Sequence, residues 1–263
     1  MLNRLAGSSH ILATAHGVAQ AARAILPPVT LVLLTPIALD AGAWEHVPLP
    51  GLPTVKHVFP GFGGRDRAVT RPTMASLGDE IVQSYDGPLD VAGCSLGAMV
   101  AMHLAIRHPD RVRSLFAACT GPSADPAVME QRASDAEALG MDGVLQVTLE
   151  RWFTPAALAQ RPEHPGVLYA RERLLALDPH AFADGWRAIG GHDARAELSH
   201  VTATTTVVAG TADAAASVER VRGVSDRVPG ARLVILHGPH MMLLEEPVAF
   251  GEALADHLER VPV

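Results

Sequence analysis

Six short runs rich in Val, Ile, Leu and Thr recur along this chain and alternate with segments of helical period. They cover residues 29–34, 55–59, 89–93, 112–118, 204–209 and 231–236. Apolar runs without polar alternation are typical of strands buried on both faces, and a parallel pair of strands needs a crossover, usually a helix, to return the chain. The pattern therefore predicts an α/β fold with a mostly parallel central sheet and helices on both faces.

One region interrupts this alternation. Between residues 121 and 200 there is no run that resembles a strand, and four segments show helical spacing, separated by prolines. These segments cover residues 130–139, 144–153, 167–177 and 181–189. We therefore expect residues 1–120 and 201–263 to form one core domain, and residues 121–200 to form a helical cap, or lid, inserted into it.

Composition and charge narrow the class of partner. With 263 residues, of which 48% are hydrophobic, the chain is large enough for a sizeable core. Its formal net charge is −7, and its 21 Lys and Arg residues are scattered without a basic run, so neither nucleic acid nor an anionic membrane is expected as a partner. The uncharged segment 24–39 contains three prolines and is shorter than the roughly 20 residues of a membrane span. A small-molecule partner is expected; the oligomeric state is not predicted.

The two cysteines indicate the cellular compartment of the protein. Cys94 and Cys119 each lie beside an apolar segment, which favours buried thiols over a disulfide. The apolar stretch at residues 11–15 is shorter than the apolar region of a secretory signal peptide. Both observations predict a cytoplasmic location.

A G-x-S-x-G pattern, formed by Gly93, Ser95 and Gly97, follows the third predicted strand and opens a helical segment. In that position a serine lies on a tight turn from strand to helix, and the glycines allow a strained backbone and close packing. The helix N-terminus also favours negative charge. The pattern predicts a nucleophilic Ser95, although in isolation it would equally fit a glycine-rich turn.

A serine nucleophile needs a base and a group that orients the base. Asp213 follows the fifth predicted strand and His240 follows the sixth, so all three residues lie where strands of a parallel sheet end. His237 is a second candidate for the base, but it ends the strand itself and its role could be to cap it. Seen alone, Asp213 would be an ordinary loop carboxylate. We favour His240 as the base because His237 belongs to the strand end, and the place of Asp213 after one strand with His240 after the next favours Asp213 as the acid.

The same histidines raise the question of a metal site. His237 and His240 would supply two ligands, whereas a catalytic zinc needs three, and the chain has no H-E-x-x-H helix. We therefore expect no metal and no other cofactor.

From Val29 onward the chain resembles the α/β-hydrolase superfamily, and within it the β-ketoadipate enol-lactonases. The resemblance rests on segments 93–98, 108–112 and 240–247, and in the insertion on 149–153, 178–179 and 193–195. It implies hydrolysis of a small ester or lactone through an acyl-enzyme, with Ser95 as nucleophile, His240 as base and Asp213 as its partner. It also implies that Arg151 and Trp152 contact the substrate. The alternative for Trp152 and Phe153 is packing within the cap.

The chain departs from the superfamily pattern after the first strand. Where His-Gly is usual, it has Thr35 and Pro36, so the resemblance implies that the backbone N–H of Ile37, with that of Leu96, forms the oxyanion hole. Proline fixes its own φ and restricts Thr35, so the loop has less freedom than one with glycine. This departure leaves open a carbon-carbon bond hydrolase or a non-hydrolytic biosynthetic enzyme. A third alternative is a hydrolase-like protein that binds a small molecule without turnover.

Overall fold

The computed structural model describes residues 29–49 and 51–262, and its centre is a six-stranded parallel sheet. The strands are β1 (Thr30–Leu34), β2 (Thr54–His57), β3 (Leu89–Cys94), β4 (Val112–Ala118), β5 (Thr204–Gly210) and β6 (Arg232–Leu236), in the spatial order β2-β1-β3-β4-β5-β6. The predicted parallel sheet is confirmed, with each strand end within two residues of its predicted position. The stretch at residues 11–15 lies outside the described residues.

Helices of the core cover the sheet. They are α1 (Met74–Ser84), α2 (Leu96–Arg107), α7 (Val218–Ser225), α8 (Met242–Glu245) and α9 (Pro247–Glu259). Helix α2 packs against β1, β3 and β4, whereas α9 packs against β4 and β6. The ring of Phe250 in α9 meets that of Phe116 in β4 edge to face, with centroids 5.5 Å apart. All six residues of β3 are buried, as expected for a central strand.

Four helices occupy the segment between β4 and β5. They are α3 (Pro126–Trp152), α4 (Pro155–Ala159), α5 (Pro165–Leu175) and α6 (Pro179–Gly190). Each begins with a proline, which lacks the N–H that a first helical residue would leave unbonded, and each is capped by the preceding side chain. The two predicted helices at 130–139 and 144–153 are the two halves of α3, separated by a kink at Gly140, whose φ is 68°.

We call residues 121–200 the helical insertion. It packs over the end of the sheet to which β3, β4, β5 and β6 point, and so it borders the loops that carry Ser95, Asp213 and His240. Among the described residues, no helix has both the length and the apolar character needed to cross a membrane.

Candidate active site

Ser95 lies on the turn between β3 and α2 in a strained conformation, with φ 54° and ψ −117°. Neighbouring glycines make this turn sterically possible. A Cβ on Gly93 would lie 2.3 Å from the carbonyl carbon of Gly97, and one on Gly97 would lie 2.4 Å from the oxygen of Leu34. Such distances exclude any side chain, so the sequence pattern reflects a packing requirement. The turn holds the Ser95 hydroxyl at the N-terminus of α2 and at the edge of a cavity.

His240 connects Ser95 to Asp213. Its Nε2 lies 2.9 Å from the Oγ of Ser95, and its Nδ1 lies 2.9 and 3.1 Å from the two carboxylate oxygens of Asp213. Because an ionised carboxylate only accepts hydrogen bonds, His240 carries its proton on Nδ1. Its Nε2 is then free to accept the proton of the serine hydroxyl.

The Asp213 carboxylate is itself held in place. Its Oδ1 accepts hydrogen bonds from the backbone N–H groups of Ala215 and Ala216, at 2.7 and 2.8 Å, and its side chain is fully buried. These donors come from the turn that follows β5. They compensate for burial and fix the carboxylate toward His240.

The second histidine candidate lies elsewhere. His237 is exposed, and its Nδ1 is 3.3 Å from the hydroxyl of Thr211. The structure therefore brings His240 to Ser95 and leaves His237 at the surface.

The two backbone N–H groups that the sequence predicts for the oxyanion hole are those of Ile37 and Leu96. Leu96 is the first residue of α2, so its N–H has no acceptor within the helix. The N–H of Ile37 has no protein acceptor within the described part of the chain. The loop that carries Ile37 follows β1, whose last residue Leu34 packs against Gly97.

A cavity of about 230 Å³ opens above Ser95 and His240. The helical insertion supplies most of its wall, including Arg132, Arg151, Trp152 and Trp186. Trp152 is buried, and its backbone carbonyl accepts a hydrogen bond from the N–H of Met241 at 2.9 Å. That bond fixes the end of α3 directly beside the loop of His240.

The arginines of this wall have no acidic partner. Arg151 donates to the hydroxyl of Thr148 at 3.2 Å, and among the described residues neither Arg151 nor Arg132 forms an ion pair. Their guanidinium carbons lie 5.6 and 4.7 Å from the ring centroid of Trp186, in cation-π range. Burial, and secondly the charge of Arg132, lower the pKa of Arg151 to about 10. Arginine keeps its charge at neutral pH, so Arg132 and Arg151 present two cations to the cavity, whose lining also includes Asp125.

Arg132 and Trp186 were not among the residues predicted from sequence. Arg132 lies in α3 and Trp186 in α6, and α3 is kinked between Arg132 and Arg151. No local motif marks residues that only the packing of α3 against α6 brings together.

The two cysteines are free and buried, as predicted. The Cys119 sulfur, an Asp213 carboxylate oxygen and a His240 ring nitrogen lie within 4.8 Å of one another, and these three groups could hold a metal ion. They are not the pair His237 and His240 that the sequence suggested. A hydrogen bond to Cys94, together with burial, raises the pKa of Cys119 well above its usual value. Coordination of a metal would require this thiol to lose its proton.

Comparisons with known proteins find a matching family model, similar sequences and a similar fold. A model of the alpha/beta hydrolase family matches residues 31–253. A pimeloyl-[acyl-carrier protein] methyl ester esterase of Neisseria meningitidis serogroup B is 32% identical over 225 residues, covering 80% of this chain and 86% of that protein. The 3-oxoadipate enol-lactonase 2 of Acinetobacter baylyi is 24% identical over 205 residues, 76% of each chain. The enol-lactonase from Burkholderia xenovorans LB400 shares the fold, with a TM-score of 0.84, 24% identity and coverage of 89% of this chain and 92% of that one.

Proposed function

The chain belongs to the alpha/beta hydrolase family, and on that premise we propose that it hydrolyses a small carboxylic ester or lactone through an acyl-enzyme. The observation that carries the proposal is the hydrogen-bonded series Ser95, His240, Asp213 at the floor of a cavity. Two of its relatives are named for a methyl ester and an enol-lactone, and both names refer to carboxylic ester bonds.

In this mechanism the three side chains act as a catalytic triad. The Ser95 Oγ bonds to the substrate carbonyl carbon while its proton passes to Nε2 of His240, and Asp213 stabilises the imidazolium that forms. His240 then gives this proton to the leaving oxygen, and the acyl group remains on Ser95. Water then attacks the acyl carbon and gives a proton to His240. The bond from that carbon to the Ser95 Oγ breaks, His240 returns the proton to this oxygen, and the acid product leaves.

The negative charge that develops on the carbonyl oxygen needs donors that are already oriented. We assign this role to the backbone N–H groups of Ile37 and Leu96, neither of which has a protein acceptor among the residues that the structure describes. The positive end of the α2 dipole adds to the stabilisation at Leu96.

The helical insertion is assigned the role of a cap, residues 121–200, over a core of residues 1–120 and 201–263. In support, α3 and α6 supply Arg151, Trp152 and Trp186 to the cavity wall, whereas the core supplies Ser95 and His240. The cap would exclude water and select the substrate, and the core would perform the chemistry.

Unpaired Arg151 and Arg132 indicate that the substrate carries an anionic group away from the bond that is cleaved. We expect Arg151→Met to raise KM for carboxylated lactones roughly 10- to 100-fold and to leave neutral p-nitrophenyl esters nearly unaffected. The loss corresponds to about 1.5–3 kcal/mol for a hydrogen bond to a charged group. Steady-state kinetics on both substrate classes measure it.

Arg195→Met serves as the matched control, because Arg195 is an exposed arginine paired with Asp193 outside the cavity. It should change neither KM. If Arg151→Met raised KM equally for carboxylated and neutral substrates, Arg151 would support only the packing of the cap.

A fluorophosphonate probe followed by a substrate panel tests the proposed function. The probe should label the wild-type protein once, at Ser95, and lactones or p-nitrophenyl esters of graded chain length should be turned over. Labelling without turnover of any ester or lactone would favour the carbon-carbon hydrolase or the non-hydrolytic enzyme. A protein that is neither labelled nor active would be a binding protein with an inert serine.

A further inference from the structure

The loop between β1 and the following 3₁₀ helix, residues 35–40, has few strong hydrogen bonds of its own. The N–H of Thr35 donates to the carbonyl of His57 and that of Leu39 to the carbonyl of Pro36, both at 3.4 Å, the long end of the range. Ala38 has φ 69°, a left-handed conformation that a residue with a side chain keeps only where its surroundings impose it. Something outside the loop must therefore hold its shape.

Asp40 ties this loop to the helical insertion. Its Oδ1 accepts hydrogen bonds from the N–H of Gly42 and from the hydroxyl of Tyr169, each at 2.8 Å, and its Oδ2 accepts one from Arg173 at 3.2 Å. Tyr169 and Arg173 lie one turn apart on α5, so one face of that helix meets one carboxylate. Burial alone would raise the pKa of Asp40, but the hydrogen bonds from Tyr169, Gly42 and Arg173 outweigh it and lower the pKa.

Close packing reinforces this contact. A Cβ on Gly42 would lie 2.9 Å both from the Asp40 Oδ1 and from the Tyr169 ring. On the other side, a Cβ on Gly63 would lie 2.6 Å from the Cβ of Asp40. The Asp40 side chain thus packs closely against two glycines, while 22% of it stays exposed.

A second contact lies at Ile37 itself. Its buried side chain packs under α6, where a Cβ on Gly185 would lie 3.0 Å from the Cδ1 of Ile37. The insertion therefore touches the loop at two places: α5 at Asp40 and α6 at Ile37.

We propose that Tyr169 is a positioning residue: acting through Asp40, and with Arg173, it holds the loop so that the Ile37 N–H points into the oxyanion hole. This inference rests on the proposed function, in which Ile37 is an oxyanion donor. It also explains how the loop keeps its shape without the polar anchor of the histidine that is usual in the superfamily. The buried hydroxyl of Thr35, at that position, has no hydrogen-bond partner among the described residues, so the polar anchor comes from α5 instead.

The test is Tyr169→Phe, which removes the hydroxyl and keeps the ring. We expect kcat to fall about 10-fold with little change in KM, as part of the 10²- to 10³-fold that one oxyanion donor contributes. Tyr85→Phe is the matched control, since Tyr85 is the other tyrosine of the chain. Its hydroxyl lies 3.2 Å from the Nδ1 of His57, outside the cavity. It should leave kcat unchanged.

A trifluoromethyl ketone distinguishes positioning from folding. Ser95 adds to its carbonyl carbon, the serine proton passes to His240, and the resulting hemiketal oxygen occupies the oxyanion hole. In Tyr169→Phe its inhibition constant should rise by the same factor by which kcat/KM falls, because both report oxyanion stabilisation. The endpoint of fluorophosphonate labelling should stay at one per chain, and only its rate should fall.

Two results would overturn the proposal while leaving the proposed function intact. One is a Tyr169→Phe variant with the kcat and inhibition constant of wild type. The other is a kcat loss matched by a lower labelling endpoint, with an unchanged inhibition constant, which is the result expected of a structural role. A wild-type Ser95 that does not react with the probe would instead overturn both proposals.

Discussion

Replacement of Ser95 by alanine is expected to lower kcat by roughly 10⁴- to 10⁶-fold. The reaction as proposed passes through a bond to the Ser95 Oγ, and removal of one member of a triad leaves only substrate binding and the oxyanion hole. Single-turnover and steady-state rates on the best ester of the panel measure the loss. Fluorophosphonate labelling should disappear in parallel.

The fold of this variant should be preserved. The Ser95 hydroxyl has one hydrogen bond, to His240, and alanine meets the same backbone strain at this turn as serine does. The free energy of unfolding should stay within about 1 kcal/mol of wild type. Ser84→Ala is a suitable control, because Ser84 is exposed at the end of α1. A Ser95→Ala protein with a rate within tenfold of wild type would contradict the acyl-enzyme mechanism.

Replacement of His240 by alanine should cost a comparable factor in kcat. Without the imidazole, neither the attack of Ser95 nor that of water has a base, and the leaving oxygen has no acid. Asp213 also loses a hydrogen bond in a buried site, so the variant should unfold at a lower temperature. His240→Gln fills more of the space and retains a polar amide, so its loss of kcat should persist with a smaller loss of stability.

His237→Ala is the control for this pair, since His237 is an exposed histidine three residues earlier in the same loop. Its kcat should remain within about twofold of wild type, as for surface substitutions in general. A damaging His237→Ala together with a silent His240→Ala would show that the base has been assigned to the wrong residue.

Much of the fold follows from local patterns. Strands buried on both faces are mostly apolar, so β1 and β3 to β5 are visible as runs rich in apolar residues and threonine, although β3 also holds the buried Asp90. Gly93 and Gly97 are required by contacts within the turn and with β1, so they frame Ser95 in the sequence itself. The ends of β5 and β6 direct attention to Asp213 and His240 for the same reason: parallel strands deliver their following loops to one edge.

Other features lie beyond local patterns. Arg132 and Trp186 become part of one wall only through the packing of α3 against α6, and neither has neighbours in sequence that mark it. The link from Tyr169 to Asp40 joins residues far apart in the chain and uses residue types that are common in any loop or helix.

The sequence by itself determined the parallel sheet, the series of helices between β4 and β5, and the places of Ser95 and Asp213 after strand ends, because burial and backbone geometry constrain these positions within a few neighbours. Only the tertiary structure decided the spatial order of the strands, the placement of His240 rather than His237 against Ser95, and the contacts of the insertion. Strand order and contacts between helices depend on the relative placement of whole elements. A hydrogen bond such as that of Tyr169 to Asp40 adds only about 0.5–3 kcal/mol to stability and has no preferred spacing in the sequence. The cavity wall is therefore a property of packing.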